Sequence, residues 1–96
     1  MSNPKGGDNY TNIAGAATTA VKASAGRLKR ITVNKAVASG VITVYDNTAA
    51  SGTKIATITN PGTLLQNNFT LEYDVRFATG LTIVTSAADD ITVVWN

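Results

Sequence analysis

The 96-residue chain contains no histidine and no cysteine. Without cysteine there is no disulfide and no thiolate metal site, and the redox compartment cannot be read. Without histidine the usual general base, the imidazole metal site and every Ser-His or Cys-His nucleophile are excluded. Charge is scarce: 15% of residues are Asp, Glu, Lys or Arg, against about 25% in an average domain. Aromatic residues are 6% and there are two prolines. No apolar run approaches the ~18 residues of a membrane-spanning helix.

Hydrophobic residues make up 44% of the chain, with many Ala, Thr and Val. That argues against disorder, and with so few charges it predicts that some surface is covered by other protein. The length predicts one domain of modest stability. The net charge of +2 and pI near 9.2 rest on eight cations against six anions, a weak basis for nucleic-acid binding. Arg27, Lys29 and Arg30 read as a solvated face or a guarded strand edge rather than a phosphate site. The opening "MSNPKGGDNYTN" is polar, not basic then apolar as in a secretory leader. The expectation is a protein made in a cytoplasm, and kept there or released by lysis.

Residues 1–13 read as an extended arm, since Pro4, Gly6, Gly7 and several Asn and Asp residues disfavour a regular element. Tyr10 and Ile13 are its sizeable anchors. Residues 14–96 read as one β domain. A weak strand is expected at 16–23. A stronger one at 27–37 has Ile31, Val33 and Val37 on one parity. Strand 41–47 is apolar on both parities, which implies burial on both faces.

The tip 46–53, "DNTAASGT", is rich in turn formers and reads as loose and polar, with Gly52 suited to positive φ. A strand follows at 54–59, and "NPG" at 60–62 suggests a type II turn with Gly62 left-handed. The clearest signal is 69–77. Leu71, Tyr73, Val75 and Phe77 alternate there with Thr70, Glu72, Asp74 and Arg76, the period of a half-buried strand. Strands at 81–86 and 90–96 complete the pattern. The whole predicts an antiparallel β-sandwich, jelly-roll-like or immunoglobulin-like, of about seven to eight strands. A faint echo links 31–47 with 81–96, as pseudo-symmetric hairpins or as the monotony of Thr-rich strands.

Candidate chemistry is thin. Glu72 and Asp74 share a strand face at roughly the spacing of paired carboxylates, but Arg76 beside them favours a solvated face. Asp89-Asp90 lacks the D-x-D-x-D-G context of a calcium loop. "KGGDN" lacks P-loop spacing. Trp95 shares parity with Ile91 and Val93 and reads as core. "NYT" and "NFT" fit a glycosylation acceptor, with no secretory signal to support it. No catalytic residue, metal site or cofactor is expected.

From about residue 9 to 96 the chain resembles small β proteins encoded by tailed bacteriophages. The phrases that carry the likeness are "YTNI", "ITVNKA", "ITVYDNTAASGTKIATI", "FATGLTIVTS" and "DITVVW". The resemblance implies a structural virion protein, foremost a capsid decoration (cement) protein that binds the assembled shell, with a tail or fibre adhesion module as the alternative. It implies a homotrimer, with the major capsid protein or other virion proteins as partners, and no small-molecule substrate, nucleic acid or membrane. Tyr10, Ile13, Asn47, Thr48 and Ser51 are the expected contact residues.

Overall fold

The alternating stretch 69–77 is a strand, as its period of two requires, with its odd-numbered apolar residues turned inward. The computed structural model describes residues 8–63 and 68–96 of the chain. They form eight strands: β1 (Asn9–Ala14), β2 (Ala17–Lys22), β3 (Gly26–Lys35), β4 (Val41–Tyr45), β5 (Lys54–Thr59), β6 (Phe69–Phe77), β7 (Leu81–Thr85) and β8 (Asp90–Trp95). No described residue is helical, so among the described residues no helix is long and apolar enough to cross a membrane.

The strands make two four-stranded antiparallel sheets, β1-β8-β3-β6 and β2-β7-β4-β5. Each strand of the first half pairs with its mirror in the second: β1 with β8, β2 with β7, β3 with β6 and β4 with β5. A ribbon of nested pairs wound into two sheets is the jelly-roll connectivity. The order excludes the immunoglobulin arrangement. The segments behind the internal echo are not hairpins. β3–β4 and β7–β8 each cross between the sheets, and they lie side by side because β3 pairs with β8 and β4 with β7.

The core lies between the sheets. Leu28, Ile31, Val33, Ile42, Val44, Phe77, Leu81, Ile83, Ile91 and Val93 are all fully buried. Trp95 packs against them half-buried, with its Nε1 donating to Thr11 Oγ1 at 3.1 Å and Lys22 Nζ 5.6 Å from its ring centroid. Strand β4 buries Ile42 and Val44 completely and leaves Val41, Thr43 and Tyr45 half-buried on the other face.

Four readings of the sequence need correcting. Residues 9–13, expected within the arm, belong with Ala14 to β1, in register with β8 from Asn9↔Trp95 to Ala14↔Asp90. Of the rest of the expected arm, Asp8 precedes the strand, and residues 1–7 lie outside the described residues. Just past the end of β3 the buried residue is Ala36, not Val37, because the register with β8 shifts between Val33 and Lys35. Gly62 is not left-handed; among the described residues the positive-φ glycines are Gly15 and Gly52. Gly15, at φ 105°, turns the chain from one sheet to the other within two residues, a corner that suits a residue without Cβ. The tip 46–53 is tied down rather than loose, as set out below.

Candidate functional site

Strand register sorts the outward side chains onto two faces, since residues directly opposite one another share a face. The outer face of β1-β8-β3-β6 is polar and internally paired. Arg30 Nε donates to Glu72 Oε2 at 3.2 Å. Thr32 and Thr70 hydroxyls meet at 3.3 Å. Asn12 and Asn34 both donate to Asp90 Oδ1, at 2.8 and 3.1 Å. These two amides, Asn12 first, hold the Asp90 carboxyl below its ordinary value.

Asp74 takes a left-handed φ of 49° where β6 bulges against β3. Arg27 reaches its carboxylate at 3.4 Å and Lys29 at 3.6 Å. The cationic trio Arg27, Lys29 and Arg30 is therefore matched by Asp74 and Glu72. These surface pairs add little stability, but they leave no concentrated positive patch.

The outer face of β2-β7-β4-β5 differs in kind. Register places Thr18 opposite Val84 and Ala20 opposite Thr82. Thr43 also lies opposite Val84, and Tyr45 opposite Thr82. On β5, Thr59, Thr57 and Lys54 face Val41, Thr43 and Tyr45. Among the described residues no acid occurs on this face, and Lys54 at its rim is its cation. Apart from Tyr45 and Lys54 it is a field of β-branched and small side chains, with little charge to keep a neighbour away.

Two polar pins fix the ends of the sandwich. At one end Asp46 bridges the β4–β5 tip to the β6–β7 turn. Its carboxylate accepts the amides of Ala78 at 2.9 Å, Thr79 at 2.8 Å and Gly80 at 3.4 Å. The Ala78 and Thr79 amides hold this carboxyl below the usual aspartate value. Within the tip, Asn47 Nδ2 donates to Ser51 O at 2.7 Å and Asn47 Oδ1 accepts the Thr48 amide at 2.8 Å. Gly52, at φ 84°, leaves room for the Asn47 amide, which a Cβ there would meet at 3.0 Å.

At the other end Asp89 is fully buried. Its Oδ1 accepts the Val37 amide at 2.7 Å, and its Oδ2 accepts Asn60 Nδ2 at 3.3 Å. Asn60 also donates to Val37 O at 2.9 Å, so the β3–β4, β5–β6 and β7–β8 connections share one pin. Asp89 and Asp90 point apart, one inward and one outward, and do not face a common site.

The expected contact residues disperse. Tyr10 is 75% exposed, the one exposed large hydrophobic among the described residues. Ile13, expected as a surface anchor, is 4% exposed and belongs to the core; its strand parity turns it inward. Thr48 and Ser51 are exposed and Asn47 half-buried, at the tip on the opposite side of the molecule from Asp89. Glu72 and Asp74 are engaged with cations of β3. Among the described residues no group of three acidic or other ligating side chains could hold a metal. Register, not composition, reveals the neutral face; its signal in the sequence is Thr43 on β4 with Thr57 and Thr59 on β5.

Comparison with known proteins finds no family model, no curated protein and no solved structure that matches the chain.

Proposed function

We propose that the chain is a structural protein of a tailed-bacteriophage virion, a capsid decoration protein that binds the assembled shell and stabilises it. The supporting observation is the neutral outer face of β2-β7-β4-β5, built by Thr18, Val41, Thr43, Tyr45, Thr57 and Val84 without an acid. Such a face suits protein contact better than catalysis or phosphate binding. The jelly roll itself assigns no function; the virion reading comes from the phrases in residues 9–96.

On this reading the chain is no enzyme and needs no cofactor. Its mechanism is mass action: a protein that binds the assembled shell and not its free subunits stabilises the shell by the free energy of binding. Its partners are copies of itself and the major capsid protein or another virion protein, and the threefold number rests on the resemblance alone. Gold-labelled antibody against the protein tests this on particles from the phage that encodes it. Label over the shell supports decoration, label on the tail or fibres supports an adhesion module, and absence from particles refutes both.

A further inference from the structure

A sandwich of two open sheets has four edge strands, here β1, β6, β2 and β5. An exposed edge invites pairing with another chain, and proteins blunt it with charge, proline or a bulge. Three of these edges are blunted. β6 carries Glu72, Asp74 and Arg76 and bulges at the left-handed Asp74. β5 starts at Lys54 and shifts register between its pairings with Val44 and Tyr45. β2 shifts between Ala20 and Lys22 and ends on that lysine. β1 alone has none of these devices. "NYTNIA" has no charge and no proline, and its register with β8 is unbroken. The same strand carries Tyr10, exposed by 75%. The unguarded edge and the exposed aromatic are independent observations on one six-residue strand.

We propose that β1 pairs antiparallel with β1 of a second copy of this chain, about a two-fold axis, to make one continuous eight-stranded sheet. The occupant follows from the other edges. A head-to-tail contact would need a second unguarded edge to receive β1, and the described residues offer none. An isologous contact needs only β1 itself. A strand without charge meets its own copy without like-charge repulsion. For the polar face to stay outward in both copies, opposed residues must share parity. Centring the pair on Asn12 does this and sets Tyr10 across from Ala14 of the other copy, where the small side chain leaves room for the ring. The contact joins two chains, so any threefold arrangement on a shell would use other surfaces. It does not depend on the virion reading.

Light scattering on the purified protein should give twice the chain mass at about 100 micromolar. Tyr10→Lys, which adds the missing guard at an exposed position, should halve that mass with an unchanged circular-dichroism spectrum. Because the chain has no native cysteine, Asn12→Cys should oxidise rapidly to a covalent dimer, as opposed Cβ atoms of a strand pair lie about 4.5–5.5 Å apart. Ala50→Cys, at the remote tip, should not. A mixture of Tyr10→Cys and Ala14→Cys should cross-link to each other in preference to themselves. A monomeric wild-type protein would overturn the proposal and leave the edge for a foreign strand. A trimer, an assembly indifferent to Tyr10→Lys, or equal cross-linking at Asn12 and Ala50 would also overturn it.

Discussion

Asp46 and Thr79 lie 33 positions apart in the chain, yet the carboxylate of the first accepts the amide of the second at 2.8 Å. With Ala78 and Gly80 it forms a clasp across one end of the sandwich. Asp46→Ala removes acceptors from these amides and should cost about 1 kcal/mol, toward the low end for a charged hydrogen bond because water reaches the site. Urea denaturation at pH 7 measures it.

The same clasp sets an acid limit. Asp46 titrates below its ordinary value of 3.8 in the folded chain, and Asp90, held by Asn12 and Asn34, also titrates below 3.8. A depressed folded pKa contributes stability that is present above the unfolded value and lost as pH falls through the folded one. The urea midpoint should therefore hold steady above pH 5 and fall below about pH 4. Asp46→Asn and Asp90→Asn should each flatten that fall. An acid limb equally steep in the double variant would show that other carboxylates govern it.

Phe77 is fully buried at the end of β6, whereas Tyr73 on the same parity is only partly covered. Phe77→Ala should cost about 3–5 kcal/mol, enough to unfold a domain this small at elevated temperature. Tyr73→Ala should cost visibly less. Equal losses would mean that β6 packs along its whole length.

Asp89 and Asn60 should behave as one unit, since they share the Val37 backbone and each other. Either change to Ala should cost about 2 kcal/mol by leaving a buried polar partner unmatched. The double change should cost clearly less than the sum of the two. Additive losses would argue that each acts on its own loop.

The neutral face offers a separable lesion. Thr43→Glu places a charge at its centre, opposite Val84, and should weaken shell binding at least tenfold while moving the melting temperature little. Thr70→Glu, on the already charged outer face of the first sheet, should leave binding unchanged. Binding assays on purified shells, run beside thermal melts, separate the two.

The sequence showed β6 plainly because nine residues alternate without interruption. It hid β1 because Ile13 is the only residue of that strand whose side chain is buried. One apolar position in six cannot establish a period. Its partner β8 is also roughly 80 residues away, beyond any local pattern. Bulges caused the misplacement at Val37, since an inserted residue resets the parity that alternation counts. The tip looked loose because its composition is that of a flexible loop, while its restraint comes from amides at 78–80. The burial of Asp89 left no local signal for the same reason, its partners being 52 and 29 positions away. The neutral face was half legible: the threonines are visible, but only register shows them aligned across neighbouring strands.

The most direct test is the temperature at which purified shells break open with and without the protein. Under mass action, one hundredfold excess over the dissociation constant stabilises each occupied site by about 2.7 kcal/mol. The disruption temperature should therefore rise with added protein and level off once sites are filled, and the protein should sediment with the shells at a fixed ratio. Shells that open at the same temperature at every protein concentration, with the protein left in the supernatant, would contradict a decoration role.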